Sequence, residues 1–311
     1  MFRYTLLFIS ALIFTSTVRA DVLEGYDSID EFQFSGGSWF SSVSGTESIL
    51  LERPTAVAAN NNFVYFIDSG LSSLYAYNQV SGNAKGFSSA FGKIQGNIAS
   101  LYISHLQDLF IVDTFGNQIL QFDIEGNYRA NFEDPLNLNS PVGVCVNPSN
   151  NHVFVADGFY SHIIEFTESG DPVALHGKRT RGQTQAGNNI IGMACNDQEL
   201  YIVSKLSDEI NVFTFSGKLI RQIPRKEVHN PTAVALDQYN RVYISDAFDD
   251  RIRVYDDQRM IVEFGGAGMD DFSFRDIRGL WVDNSFLYVA DSMNRRIQIL
   301  NITRPTSRYA R

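Results

Sequence analysis

One apolar pattern recurs six times along this chain, at intervals of 42 to 47 residues. Each copy has an aromatic residue at its second position and, in five copies of six, an aspartate at its end. The copies are Val64–Asp68, Leu109–Asp113, Val153–Asp157, Leu200–Ser204, Val242–Asp246 and Leu287–Asp291. A self-similar period of this length indicates a repeat architecture, in which each repeat packs against its neighbours.

Further apolar residues keep step with this pattern. An aliphatic residue stands six places after the end of each copy: Leu74, Ile119, Ile163, Ile210, Ile252 and Ile297. Apolar alternation on both sides of a short turn is typical of a β-hairpin, and a stretch such as Gly143-Val144 predicts a strand before it. A more variable fourth strand follows, as in Met260–Phe264. Six such repeats predict an all-β fold, a six-bladed β-propeller.

The sixth repeat ends after its third strand, residues 296–302, which would leave an unpaired sheet edge. Residues 31–37 resemble the fourth strand of repeat five, residues 261–266, and likewise precede a first strand. We therefore expect residues 21–52 to supply the closing outer strand of blade six. The propeller then covers residues 53–302, and residues 303–311 form a C-terminal tail.

The segment Leu287–Ile297 reads hydrophobic-Tyr-Val-Ala-Asp-x-x-Asn-x-Arg-Ile and resembles the NHL repeat. The resemblance extends over roughly residues 53–302 and implies the six-bladed propeller fold. Propellers of this kind include enzymes, sensor domains and binding platforms, so the resemblance predicts the fold more specifically than the activity.

Residues 1–20 have the composition of a secretory signal peptide, with Arg3, an apolar run over residues 6–14, and Ala20 before the expected cut. This run is far shorter than the roughly 20 residues that cross a bilayer. We expect export to the periplasm or the extracellular space, cleavage after Ala20 and no membrane insertion. The net charge of −10 disfavours nonspecific binding to nucleic acid.

The sequence gives no support for a catalytic centre. Peptidyl-hydroxyglycine lyases, an NHL-like class, place zinc-binding histidines at the start of several first strands. The corresponding residues here are Thr55, Ala99, Val142, Ile191, Thr232 and Arg278. We expect the five histidines, His105, His152, His162, His176 and His229, not to converge. We therefore predict no catalytic residue, metal or cofactor, with an extracytoplasmic metal-dependent lyase or lactonase as the alternative function.

The recurring aspartates have two interpretations. A ring of carboxylates around the channel could hold a cation, or each carboxylate could accept N–H hydrogen bonds from the turn that follows it. Repeat four carries Ser204-Lys205 at this place, which breaks the ring. We expect the structural role.

The turns between second and third strands carry a large apolar second residue in five repeats of six: Gly70, Phe115, Phe159, Leu206, Phe248 and Met293. In a propeller these turns share one face, here called the loop face, with the connections between blades. Their side chains either form partner-binding anchors or pack against the next blade. The candidate partner-binding residues are Phe115, Phe159, Tyr160, Phe248, Asp249, Asp250, Arg251 and Met293.

We accordingly predict a monomeric, non-catalytic platform that binds or assembles an unidentified protein partner. An accessory role in the biogenesis of an envelope or extracellular complex is a narrower form of this hypothesis. Basic residues such as Arg221 and Arg225, and acidic residues such as Asp249, either steer a charged partner or lie in solvated loops.

Cys145 and Cys195 lie in the first strands of consecutive repeats and project from opposite sheet faces. They either face each other between blades three and four or point away from that interface. Packed sheets lie about 10 Å apart, whereas a disulfide needs Cα atoms within about 6.8 Å. We expect two buried free thiols; a disulfide is the alternative, because blades converge toward the axis.

Overall fold

The computed structural model describes residues 23–29, 31–34, 47–87, 92–96, 98–177, 179–180, 183–184, 189–257 and 259–302. The signal peptide expected at residues 1–20 and the tail at residues 303–311 lie outside these ranges. Within them, no helix is long and apolar enough to cross a membrane. The architecture rests on β-strands throughout.

Three strands precede the repeats: β1 (Leu23–Ile29), β2 (Glu31–Phe34) and β3 (Glu47–Leu50). The first three blades are β4 (Pro54–Ala59), β5 (Phe63–Asp68), β6 (Ser73–Asn78) and β7 (Asn83–Gly86); β8 (Ile98–Ile103), β9 (Asp108–Asp113), β10 (Gln118–Asp123) and β11 (Tyr128–Phe132); and β12 (Pro141–Val146), β13 (Val153–Asp157), β14 (His162–Phe166) and β15 (Pro172–His176).

A small hairpin, β16 (Arg179–Thr180) and β17 (Gln183–Thr184), stands between blades three and four. The remaining blades are β18 (Ile190–Cys195), β19 (Glu199–Ser204), β20 (Glu209–Thr214) and β21 (Leu219–Pro224); β22 (Pro231–Leu236), β23 (Val242–Asp246), β24 (Arg251–Tyr255) and β25 (Met260–Gly265); and β26 (Ile277–Asp283), β27 (Phe286–Asp291) and β28 (Arg296–Ile302) with β1. This arrangement confirms the six-bladed all-β propeller.

The core is divided among the six interfaces between neighbouring blades. The first strands contact one another in a closed circle, β4 to β8, β12, β18, β22, β26 and back to β4. Six apolar clusters fill the spaces between adjacent blades. The recurring aromatic residue of each second strand is buried in them: Tyr65, Phe110, Phe154, Tyr201, Tyr243 and Tyr288. The repeat pattern therefore marks side chains that join one blade to the next.

Every first strand contains a β-bulge at its second residue. The pairing register shifts between the first and third residues of all six, for example between Pro141 and Gly143 and between Ile277 and Gly279. A bulge leaves one residue outside the ladder and redirects its side chain. The bulged residues are Thr55, Ala99, Val142, Ile191, Thr232 and Arg278.

The N-terminal segment closes blade six, but not with the strand that we expected. Strand β1 pairs antiparallel with β28 from Leu23↔Ile302 to Ile29↔Ile297. Strand β2, which contains the segment that resembled an outer strand, instead pairs parallel with β7 at the edge of blade one. Strand β1 has the seven-residue length of β28, whereas β2 has four residues. The longer strand can complete the β28 ladder, so it is the one that closes the ring.

The expectation of two free thiols is wrong. Cys145 and Cys195 form a disulfide, with their Cα atoms 6.2 Å apart. Their opposite parity makes them face each other, and Cys145 is fully buried in the cluster between blades three and four. The sheet spacing of about 10 Å does not apply here, because β12 and β18 are the innermost strands of their blades, where the sheets converge.

Deleting residues 21–29 should open the ring, because it removes the β1–β28 ladder and exposes a sheet edge. We expect loss of cooperative thermal unfolding, or aggregation, by calorimetry and light scattering. Replacing residues 31–34 by Gly-Ser-Gly-Ser is the matched control and should leave unfolding cooperative. An unchanged melting curve for the deletion would contradict the observed closure.

The disulfide spans a sequence separation of 50 residues, so removing it should release considerable chain entropy in the unfolded state. We expect the Cys145→Ala, Cys195→Ala double variant to lose about 2–4 kcal/mol of unfolding free energy in urea titrations. Thiol titration of the denatured wild type should find no reactive group before reduction and two after it. Two reactive thiols before reduction would refute the bond.

Candidate functional site

The recurring aspartates tie the loop face together. Asp68, Asp113, Asp157, Asp246 and Asp291 are all fully buried. In blade one, Asp68 accepts N–H hydrogen bonds from Gly70 and Leu71 in the following turn, at 2.9 and 3.1 Å. It also accepts bonds from Glu52 and Arg53, at 2.8 and 2.9 Å, in the chain that enters the same blade. The expected structural role is confirmed, and it extends to the neighbouring connection.

Asp246 shows how the protein stabilises the charge of such a buried aspartate. It accepts N–H bonds from His229 and Asn230 at 2.8 Å and from Phe248 at 3.0 Å, and the Arg253 guanidinium lies 3.1 Å away. Burial opposes ionisation of this carboxyl, but the three N–H donors and Arg253 outweigh it and hold the pKa of Asp246 below its usual range. The carboxylate is therefore charged and its oxygens are occupied by protein donors.

Blade four replaces the carboxylate by a guanidinium. Ser204 stands at the aspartate position, and the buried Arg225 reaches from the connection after β21 to donate to the carbonyls of Ser204 and Val228. Burial lowers the pKa of Arg225, which nearby Tyr255, Asp208 and Asp246 counteract. Arg225 therefore neither steers a charged partner nor lies in a solvated loop, so both sequence-based interpretations of it are wrong.

The clamped turns project their second residues into solvent. The exposed fractions are 71% for Phe115, 66% for Phe159, 72% for Leu206, 72% for Phe248 and 58% for Met293. We call these five residues the anchor ring. Tyr160 is also exposed, as are Leu136 and Met269 in connections on the same face. The alternative in which the side chains pack into the next blade does not describe this structure.

The other candidate residues of this face are held by internal contacts. Asp249 binds Arg253 at 2.6 Å, and Arg251 binds Glu263 at 2.8 Å. Asp250 accepts a hydrogen bond from the Asp276 N–H at 2.8 Å. Burial, followed by the nearby carboxylates of Asp276, Asp291 and Asp249, raises the pKa of Asp250. These charged residues brace the base of the Phe248 turn.

Blade one has a hollow where the other blades have an anchor. Gly70 holds the anchor position, and a Cβ there would lie 2.5 Å from the Glu52 Cβ, which explains the glycine. Next to this turn is a cavity of about 350 Å³. Its apolar lining is Ile67, Leu74, Ile94 and Ile98, and its polar lining is Thr55, Ser69, Ser72, Ser73 and Gln95. Sequence reasoning missed this hollow, because an isolated glycine gives no sign of it.

The channel mouth on the loop face is narrow and carries the bulged residues. Ala99, Val142, Ile191, Thr232 and Arg278 line a cavity of only about 40 Å³ there. Arg278 binds Asp276 at 2.7 Å. The described residues contain no group of three or more His, Cys, Asp or Glu side chains placed to hold a metal ion.

Two histidines do approach a common group, contrary to expectation. His152 Nδ1 and His176 Nε2 each lie 2.7 Å from a different oxygen of Glu165. Glu165 lies on β14, the third strand of blade three, which pairs with β13 and β15. His176 is the last residue of β15, and His152 directly precedes β13. His162 instead stacks on Tyr160, with ring centroids 5.5 Å apart, and His229 packs at a tilt against Phe248, with centroids 5.1 Å apart.

Comparison with known proteins agrees with this architecture. The NHL repeat model matches residues 138–164. The chain therefore contains a match to the NHL repeat within a six-bladed β-propeller. No curated protein sequence matches the chain.

Solved structures with the same fold differ widely in function. Selenomethionine-substituted virginiamycin B lyase from Staphylococcus aureus has 12% identity and a TM-score of 0.61, over 89% of this chain and 99% of that one. An auxiliary nutrient binding protein from Bacteroides thetaiotaomicron has 12% identity and a TM-score of 0.61, over 82% and 70%. Kuenenia stuttgartiensis hydrazine synthase has 9% identity and a TM-score of 0.57, over 86% and 99%. At these identities the likeness concerns the fold alone.

Replacing Asp246 by Asn should destabilise the protein by about 2–4 kcal/mol at pH 7, because it disrupts a buried, fully bonded charge. The folded-state pKa lies below the unfolded one, so the stabilisation is present above the unfolded value and disappears as the pH falls through the folded one. The difference between wild type and variant, measured by urea unfolding, should therefore shrink in acid. The exposed Asp271→Asn should change stability by less than about 0.5 kcal/mol.

Proposed function

We propose that this protein is an exported, monomeric binding or assembly platform that captures a protein partner on its loop face. The observation that carries the proposal is the exposed anchor ring: five large apolar side chains, all at one position of successive turns, protrude from one face. A face that exposes several large apolar side chains is a candidate interaction site. Aromatic residues and methionine are also enriched in protein interfaces.

The shape of this face favours a macromolecular partner. A small ligand needs a concave site that encloses most of its surface. Protruding rings such as Phe159 and Phe248 require instead that the partner supply the pockets. At the hollow beside Gly70 the partner would instead insert a side chain into this protein. The apolar floor of the hollow suits one apolar side chain, and its serines can form hydrogen bonds with the partner's backbone around that side chain.

The rigidity of the turns supports the same function. The N–H groups of Tyr160 and Phe248 bind the buried aspartates of their blades at 2.6 and 3.0 Å, so the anchors stand on fixed backbone. A preorganised surface loses less conformational entropy on association. Asp249, Asp250 and Arg251 support the Phe248 anchor within this proposal and form part of the polar rim.

Export is supported by the sequence of residues 1–20 and by the Cys145–Cys195 bond. Structural disulfides persist in oxidising compartments such as the periplasm and the extracellular space. An accessory role in the biogenesis of an envelope or extracellular complex is the specific form of platform that fits this location.

Lyase chemistry is the competing proposal, since virginiamycin B lyase shares the fold. The bulged residues at the channel mouth carry hydrocarbon or hydroxyl side chains, apart from Arg278, and none of them is a zinc ligand. Metal analysis of the purified exported protein separates the two proposals. Stoichiometric zinc or calcium would favour the enzyme.

Truncating Phe115, Phe159 and Phe248 to Ala, one at a time, should weaken capture of the native partner at least about tenfold each. The partner is first isolated from the host's exported fraction, and affinities are then measured by surface plasmon resonance. Melting temperatures should stay near that of wild type, because the side chains are exposed.

Three exposed apolar residues away from the loop face provide the matched controls: Val80, Val173 and Ile220. Their alanine variants should bind like wild type. Equal weakening by the control variants, or a large loss of stability in the anchor variants, would refute the loop face as the binding surface.

A further inference from the structure

The propeller channel widens away from the loop face into a second cavity, of about 240 Å³. Its lining comes mainly from the middle and far ends of the first strands and includes Tyr102, Ala194, Cys195 and Trp281. The channel narrows to about 40 Å³ toward the loop face. The wider cavity therefore belongs to the opposite end of the molecule and is separate from the proposed docking surface.

Two aromatic rings form one wall of this cavity. The Trp281 indole N–H donates to the Ala59 carbonyl at 2.8 Å, which fixes the indole against blade one. The Tyr102 ring meets the Trp281 ring edge to face, with centroids 5.7 Å apart. A fixed aromatic corner of this kind suits the edge or face of another ring.

The Tyr102 hydroxyl is the polar group of this wall with spare capacity. It accepts a long hydrogen bond from the Val146 N–H at 3.4 Å. Its oxygen lies 3.7 Å from the Cys195 sulfur, which carries no proton because it belongs to the disulfide. Among the described residues, the acceptor within reach of the hydroxyl proton is therefore the Cys195 sulfur, which accepts hydrogen bonds weakly. Burial raises the pKa of Tyr102 to about 12, so the group remains a donor at physiological pH.

We propose that this cavity binds a small aromatic compound with a carbonyl group, whose ring packs against Trp281 and Tyr102 and whose carbonyl oxygen accepts a hydrogen bond from the Tyr102 hydroxyl. The aromatic part of the wall favours a ligand that covers it with a ring, and the polar part of the lining favours a ligand that also carries a hydrogen-bonding group. The volume accommodates a single substituted ring rather than a larger molecule. The site is independent of the loop-face proposal, since the two share no residue.

The chain's two tryptophans make this site measurable. Trp39→Phe leaves Trp281 as the sole indole, so its emission reports on the cavity. We propose titration with acetophenone, which has the ring and the carbonyl, and competition by ethylbenzene, which has nearly the same shape without the acceptor. Acetophenone should quench Trp281 saturably, and ethylbenzene should displace it with several-fold lower affinity.

Tyr102→Phe should lower the affinity for acetophenone about two- to tenfold and leave that for ethylbenzene unchanged, because one neutral hydrogen bond is removed. Ala194→Leu, placed in the half-buried cavity wall, should abolish binding of both compounds. Melting curves for each variant establish that it is folded.

Three results would overturn the inference. The first is linear, non-saturating quenching by acetophenone in the wild-type cavity, which would mean collision only. The second is saturable quenching that Ala194→Leu leaves intact, which would place the compound elsewhere. The third is an equal affinity for acetophenone with and without Tyr102→Phe in the Trp39→Phe protein, which would mean that the Tyr102 hydroxyl does not bind the carbonyl oxygen. Capture of the protein partner on the loop face does not depend on any of these outcomes.

Discussion

Ring closure is the constraint on which the rest of this structure depends. Each blade is a sheet with two apolar faces, and each face is covered by a neighbouring blade. An open ring would leave two such faces in water, at a cost of about 25 cal/mol for each Å² of apolar surface. The β1–β28 ladder prevents this by building blade six from both ends of the chain. Residues 23–29 can separate from residues 296–302 only if the hydrogen bonds of the whole β1–β28 ladder break. The disulfide adds a covalent link at the interface of blades three and four.

The closed ring fixes the blades, and the buried clamps then fix the turns between them. An aspartate at the end of a second strand binds both its own turn and the connection into its blade, so two separate loops are held by one carboxylate. Blade four achieves the connection with Arg225, which donates to main-chain carbonyls instead of accepting from N–H groups. The connection is thus held in blade four as well, although the protein side chain donates there and accepts in the other blades. Rigid turns that expose apolar side chains are suited to binding and contribute little to the core.

The period of the sequence predicts the blade count, the strand order and the buried aromatics, because these depend on alternation along single strands. It does not predict which strand completes blade six. Residues 31–34 have the pattern of an outer strand and do form one, but at the edge of blade one, since pattern indicates strand type and not the partner. The Cys145–Cys195 bond depends on the convergence of first strands, which has no sequence signal. The contacts of His152 and His176 with Glu165 likewise depend on the pairing of three strands, and a list of blade positions does not show them.

The two ends of the channel offer opposite kinds of surface, and the six bulges explain the difference. At the loop face the bulges direct residues such as Val142, Ile191 and Arg278 into the mouth, where they narrow it. Beyond the bulges the strands regain regular pairing and the channel widens around Trp281 and Tyr102. The bulged positions of this chain carry hydrocarbon or hydroxyl side chains and one arginine, so the residue at each bulge determines what the channel mouth presents. Overall structural similarity at 9–12% identity does not register a single residue in each blade, so it carries the fold and not the chemistry of the channel mouth.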